Sequence, residues 1–474
     1  MSLISKPIIP IQQTFYDTES NKILPWKNVP KNYLDFRAIS CFCSLGFMLD
    51  DDTFSNKIKV LKPATDFQLN EDKEIIQEKK NWNWHHNPVD KSFVDFLDEF
   101  SGIFEKIIND GTNNKRILLP ISGGLDSRSL LASALEKDEL TLASYEFENG
   151  INETQYGIEI ANKFKIPIYA QKIPCGYVWK NLDKIAQLNN CFTDFLHPRQ
   201  FATLNNWQGL GDSILLGHWG DVLFDSLEVS EKKSIDEQVS ILQNKLVHNS
   251  GVELASDLWK YWGLDGSFSS FLINRIDTLY RNINIDLPSA RIRAFKSLYW
   301  APRWTSINLS FFSSLGNLVV PYYHDNLCKF ICTVPEKFLK GRKIQIEYIK
   351  QKYSLLAEVP WQKYHPLNLN NYNQFYNPIN YPARVLRKMT RFAKTKFYNI
   401  PNENTRNWEL QFLGQHNTEQ LKTHLLDNYN YEDIISKRIY SDYYEKFKIN
   451  PVKYAHAVSM LLTLSTFAKR NYGE

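Results

Sequence analysis

Between residues 116 and 217 the chain alternates short unbroken apolar runs with stretches whose apolar residues recur at helical spacing. Ile117, Leu118, Leu119 and Ile121 form a run that is short, continuous and β-branched at its ends, which suits a strand buried on both faces of a parallel sheet. The pattern predicts strand 116–121, helix 127–137, strand 140–147, helix 153–164, strand 166–173, helices 177–189 and 198–206, and strand 213–217. Such alternation predicts an α/β fold: a doubly wound parallel sheet whose ligands lie beyond the carboxyl ends of the strands. Ahead of it, Phe93, Phe96, Leu97, Phe100, Ile103, Phe104, Ile107 and Ile108 make one apolar helix face, read as core packing against the sheet.

Residues 1–70 read as β-rich, with a strand pair over 38–49, a solvated acidic turn at Asp50, Asp51 and Asp52, and a further strand over 56–69. The polar, lysine-rich stretch 71–92 reads as a linker, and its adjacent His85 and His86 point apart, which makes them a poor metal pair. After residue 230 the pattern turns helical, with a capping box at Ser234–Glu237 and a final apolar helix over 454–470. Three parts are expected: a β-rich segment 1–75, the α/β domain 90–370, and a mostly helical extension 371–474.

At 474 residues, 43% hydrophobic and 23% charged, the composition is that of an ordinary globular protein, and a net charge of +4 gives no general argument for nucleic acid. The six cysteines show no CxxC pair and point to reduced thiols rather than to zinc. With no apolar run of spanning length, the expectation is a cytoplasmic protein. The basic run 384–396 could rest on an anionic membrane, and reads more simply as a solvated cationic face.

The chemistry concentrates at Ser122–Ser127, SGGLDS, between the first strand and its helix. Gly123 and Gly124 let backbone amides come close to an anion, and a helix start favours negative charge. The lysine and spacing of a Walker A loop are absent. In their place stand two hydroxyls, Ser122 and Ser127, and the carboxylate of Asp126, which suits a metal. A second glycine-containing turn, Gly217, His218, Trp219, Gly220 and Asp221, ends the strand near 217, and its carboxylate would emerge at the same sheet edge to share Mg²⁺ with Asp126. The GxG at Gly209 and Gly211 precedes a strand and so does not mark a dinucleotide fold.

SGGLDS resembles the pyrophosphate loop of the N-type ATP pyrophosphatases, and together with GHWGDVLF at 217–224 it resembles the synthetase domain of the asparagine synthetase family. That resemblance implies an adenine nucleotide alpha hydrolase-like fold and ATP with Mg²⁺. By position it implies Ser122, Gly123, Gly124, Leu125, Asp126 and Ser127 on the pyrophosphate, and Asp126 and Asp221 on the metal. Adenine is expected near Leu119 and Phe147, with Gly217 and His218 close by. His218 stands where asparagine-forming members have a glutamate, Val222 replaces a second acid, and Asp225 and Ser226 replace glycines. The segment 313–353 resembles the family stretch ending VEARVPFLD, placing Pro321 and Asp325 on its proline and aspartate, without its arginine. VPWQKYHPL at 359–367 resembles WRQKEQF and places Lys363 on the lysine that meets the triphosphate.

The N-terminal part resembles only the tail of the family's glutaminase domain; residue 2 is Ser2, no cysteine precedes Cys41, and no glutaminase activity is expected. The resemblance then implies an amide-forming ligase with Asp126, Asp221 and Lys363 catalytic. A carboxylate is activated as an acyl-adenylate, and ammonia or an amine, from a separate glutaminase or the second substrate, displaces AMP. The carboxylate is aspartate or, favoured by His218, another acid such as a surface-polysaccharide sugar acid. Asp194, His197, Arg199 and His218 are candidates for the second-substrate pocket. The alternatives are a ring-closing cyclase of the same family, a tRNA-modifying pyrophosphatase, and a non-catalytic ATP-binding partner module.

Overall fold

The apolar runs of the central region become one five-stranded parallel sheet. A computed structural model of the chain describes residues 1–148, 150–195, 199–227, 229–378, 389, 411–427, 432 and 434–473. Six short strands precede the sheet: β1 (Ser2–Ser5), β2 (Phe15–Asp17), β3 (Ile23–Leu24), β4 (Ile58–Val60), β5 (Thr65–Leu69) and β6 (Ile75–Lys80). The sheet itself comprises β7 (Ile117–Pro120), β8 (Leu140–Phe147), β9 (Ile168–Ile173), β10 (Ser213–Leu215) and β11 (Asn317–Val319), in the order β11-β10-β7-β8-β9. Pairing is parallel throughout, as in Ile117↔Leu140 and Ser213↔Asn317. Growth from β7 runs outward through β8 and β9, then returns to the other side of β7 with β10. The order therefore reverses between β7 and β10, where the loops leaving two adjacent strands part and open a crevice.

Helices fall close to where the periodicity puts them. Among these are α2 (Phe93–Thr112), α3 (Leu125–Ala134), α4 (Thr154–Phe164) and α5 (Tyr177–Asn189), after α1 (Phe36–Leu45) in the N-terminal part. A capping box holds the start of α2, Ser92 with Asp95, and another opens the helix Ile235–Leu246, where Ser234 and Glu237 bond reciprocally. The stretch read as a helix over 198–206 is a 3₁₀ turn, Arg199–Thr203, followed by the single helical turn α6 (Leu204–Trp207).

Three N-terminal expectations are corrected. The strand pair over 38–49 is α1, capped by Asp35, whose carboxylate accepts from the Ala38 amide at 2.9 Å, and ended by Gly46 at φ +78°. Every residue from Ala38 to Leu45 is buried, so the run carries neither a period of two nor a period of 3.6 to tell helix from strand. The linker 71–92 contains β6, paired antiparallel with β5; its residues are almost all exposed, which is why it reads as polar and unstructured. The acidic turn is not solvated. Asp52 is 4% exposed and pairs with Lys59 at 2.9 Å and with Arg275. Asp50 takes a left-handed backbone, φ +57°, and burial, followed by the neighbouring Asp51, pushes its carboxyl up to about 6.

The N-terminal part shares its core with the rest of the chain. Phe54 stacks on Phe467 of the last helix, Pro451–Tyr472, at 3.9 Å between ring centroids, and Tyr472 donates to the Val29 carbonyl at 2.6 Å. The six cysteines form no disulfide. Among the described residues no helix is long and apolar enough to cross a membrane. The basic run 384–396, apart from Met389, lies outside the described residues.

The raised Asp50 pKa sets the sign of a stability test. Its folded value lies above the unfolded one, so its stabilising contribution is present at low pH and is lost as pH rises through about 6. Asp50→Asn keeps a residue that tolerates the left-handed backbone and removes the charge. The variant is expected to be more stable than the parent by about 3 kcal/mol at pH 8 in urea unfolding, with the advantage shrinking as pH falls to 5.

Candidate functional site

The corner after β7 is held by its own side chains. The Ser122 amide donates to Ser127 Oγ at 3.1 Å, the two hydroxyls lie 3.2 Å apart, and the Gly124 amide donates to Ser122 Oγ at 3.3 Å. Gly124 is the N-cap of α3 and has no side chain to cap it, so the first amides of the helix are left for an anion. Gly123 is required by crowding: a Cβ there would stand 2.7 Å from Gln362 Cβ and 2.8 Å from the Tyr156 ring. Behind the corner, the buried Arg128 donates to the carbonyls of Val359 at 2.9 Å and Pro360 at 2.8 Å, fastening the 359–362 segment against it.

The second corner follows β10 and leads into α7 (Gly220–Leu223). A Cβ on Gly217 would stand 3.0 Å from the Ser127 amide nitrogen and 3.1 Å from Asp126 Cβ; one on Gly220 would stand 2.6 Å from Asp126 Cγ. The absence of two side chains thus lets the corners touch. As a result Asp126 and Asp221, far apart in sequence, line one cavity of about 490 Å³ together with Ser122, Gly124, Leu125 and Ser127.

Against Asp126, and within electrostatic reach of Asp221, stands a cation that the sequence did not announce. Arg342 Nη2 donates to Asp126 Oδ1, which also accepts from Gln345 Nε2 at 2.9 Å, and Gln345 accepts from Arg342 Nε at 2.8 Å. Burial raises the Asp126 pKa, Arg342 pulls it back, and Asp221 adds to the rise. Burial opposes the Arg342 charge, but Asp126 and then Asp221 outweigh it and hold the guanidinium above its ordinary value. Arg342 itself has φ +64°, a backbone region costly for a residue with a Cβ.

Part of the lining is aromatic. Trp219, Trp300 and Trp304 line it with Lys296, whose ammonium lies 5.1 Å from the centroid of the Trp300 ring and is pushed below its ordinary pKa by burial. Lys296, Trp300 and Trp304 belong to the π-helical stretch Lys296–Thr305, which contains Pro302. On this side the buried Trp300 Nε1, Asn308 Nδ2 and Gln200 Oε1 have no hydrogen-bond partner among the described residues. Buried polar atoms are usually paired, and three orphans around one cavity mark where a polar ligand would complete them.

Of the residues expected at the site, Ser122, Gly124, Leu125, Asp126, Ser127, Gly217, His218 and Asp221 line the cavity, and Gly123 lies directly behind it. Leu119 and Phe147 do not. Leu119 is fully buried within the sheet and Phe147 packs on Tyr145 and Tyr177, while the edge of β8 that lines the cavity is Ala143, Ser144 and Tyr145. Lys363 is exposed outside the lining, 5.3 Å from the Tyr364 ring centroid, and its neighbour Gln362 takes the place on the wall. Lys363 still lies near the rim, because with Arg342 it draws down the pKa of Asp225, which burial raises. Asp194 is buried elsewhere, accepting from Ser459 Oγ at 2.8 Å. Asp325 accepts from the Ile8 amide at 2.9 Å and so ties down the N-terminus. His197 and the side chain of Arg199 lie outside the described residues.

The donor set suits Mg²⁺, which keeps several waters and is commonly held by one or two carboxylates plus substrate phosphates. Asp126 and Asp221 can supply the carboxylates. Among the described residues no group of three or more His, Cys, Asp or Glu gathers into an all-protein metal cage.

Gly220→Ala is expected to lower stability by about 1–3 kcal/mol in urea unfolding, because its Cβ must displace Asp126. Gly102→Ala, in α2 with open space around its Cβ, serves as the control and is expected to raise stability by up to about 1 kcal/mol. No protein-family model matches the chain, and no curated protein matches it.

Proposed function

We propose that the chain is an ATP-dependent amide-forming ligase resembling asparagine synthetase, built on a doubly wound sheet of the adenine nucleotide alpha hydrolase type. It activates a carboxylate as an acyl-adenylate with release of pyrophosphate, then passes the acyl group to ammonia or an amine. One observation carries this reading: two glycine corners, each bearing an aspartate, meet over an uncapped helix start at the point where the strand order reverses.

In this reading Ser122, Gly123, Gly124, Leu125 and Ser127 hold the diphosphate end of the nucleotide, the amides of α3 donating to its oxygens. Adenine lies against the Ala143–Tyr145 edge. Magnesium, when bound by Asp126 and Asp221, supplies neutralisation of the departing pyrophosphate. Arg342 leaves Asp126 for the phosphates and meets the same charge from the protein's side, with Lys363 at the rim as the second cation. Cations aimed at charge that builds during bond breaking act on the transition state. The tryptophan wall and the Lys296 ammonium take the second substrate, and flat aromatic faces beside a cation favour a carboxylate carried on a ring, such as a sugar acid, over free aspartate.

The test is pyrophosphate exchange and AMP release against a panel of amino acids and uronic acids. Exchange with at least one acid is expected, and Asp126→Asn is expected to abolish it. Arg342→Ala is expected to slow it by about 10²–10³-fold, and Lys363→Ala by less. A second reading, nucleotide binding without turnover, draws on the Asp126–Arg342 pair, which places a cation where the metal would act. Retained nucleotide binding with no exchange for any acid would select it.

A further inference from the structure

A second cavity, of about 600 Å³, lies on the other side of the π-helical stretch Lys296–Thr305, whose Leu298 and Tyr299 line it. No part of the ligase reading uses it. Its remaining walls come from Asp50 of the acidic turn, Lys62 between β4 and β5, the end of β6 and the segment after it, and the end of the helix Phe268–Arg281 with the 282–284 loop that follows.

Three observations give this hollow a sign. Lys62 and Lys80 both line it and repel each other: burial, then Lys62, holds the Lys80 ammonium below its ordinary pKa. Lys80 has no ion pair among the described residues, and Lys62 is answered only loosely, by Glu78 3.8 Å away with both side chains about half exposed and by Asp50 on the same wall, whose pKa it draws down. Trp84, only 7% exposed, also lines the cavity, and its Nε1 is a buried donor without an acceptor. Two ammonium groups, one unpaired and one loosely paired, and an unsatisfied indole N–H stand together on this wall. Asp50 and the side-chain amides of Asn282 and Asn284 on the same walls offer acceptors for hydroxyl or amino groups.

We propose that this cavity is a binding site for a small organic anion, whose carboxylate or phosphate group is held by Lys62, Lys80 and the indole N–H of Trp84. A charge placed there relieves the repulsion between the lysines and completes a buried donor that otherwise costs stability.

Isothermal titration with succinate and with inorganic phosphate tests the site, on the full chain and on the double variant Lys62→Glu/Lys80→Glu. Both lysines stand at the surface, so the variant is expected to fold, and its circular dichroism and unfolding midpoint check this. Saturable binding of at least one probe by the parent, weakened at least tenfold in the double variant, is the expected result. Trp84→Phe is expected to weaken binding by a smaller factor. Tighter binding of succinate assigns a carboxylate ligand, tighter binding of phosphate a phosphorylated one. Absence of saturable binding for both probes, or equal affinity in parent and double variant, overturns the proposal. Loss of pyrophosphate exchange leaves these titrations unaffected, so the two readings fail separately.

Discussion

The site exists because two backbones come closer than side chains would allow. Gly217 stands against the Asp126 and Ser127 backbone, and Gly220 against the Asp126 carboxylate, in space that a single methyl group would fill. The sheet supplies the directions, since adjacent parallel strands send their next loops out at the same edge, and the reversal between β7 and β10 parts those loops enough to leave a hollow. Glycine supplies the contact.

Bringing two carboxylates together in a partly dry place raises the cost of their charge, and the fold answers with Arg342. Its guanidinium is pre-set by Gln345, which bonds both Arg342 and Asp126, and Gln345 in turn donates to the Tyr322 hydroxyl at 2.8 Å. A left-handed arginine beside Gly341, itself at φ +65°, shows that the chain is bent to deliver this cation. Replacing a buried ion pair by well-packed apolar residues is often neutral or even stabilising. What this pair provides is a position: a positive charge held against Asp126 on the cavity wall.

The first strand of the central sheet, β7, was legible because a strand buried on both faces leaves an unbroken apolar run, and β8, β9 and β10 because strand-like stretches alternate with helices that keep a clear period. β8 runs over 140–147 as its pattern indicates. The region before residue 90 was less so. In α1 burial on all sides erased the period, and in β6 exposure erased the hydrophobic signal. For the site, the SGGLDS and GHWGD corners could be read from local chemistry, since glycine and aspartate at strand ends are unusual enough to notice. Arg342, Lys296 and Trp300 could not, because nothing in their neighbourhoods distinguishes them from other basic or aromatic residues; only the folded path brings them to the cavity. Lys363 illustrates the converse, a residue matched by flanking sequence that comes to rest one position away from the wall its neighbour Gln362 occupies.

The π-helical stretch Lys296–Thr305 carries a consequence of its own. Pro302 lacks the N–H that a regular turn would use, and the wider coil around it is a less tightly bonded piece of backbone than an α-helix. This loosely wound coil is the partition between two chambers, presenting Lys296 and Trp300 to one and Leu298 and Tyr299 to the other. The two chambers therefore have one stretch of backbone in common as their shared wall.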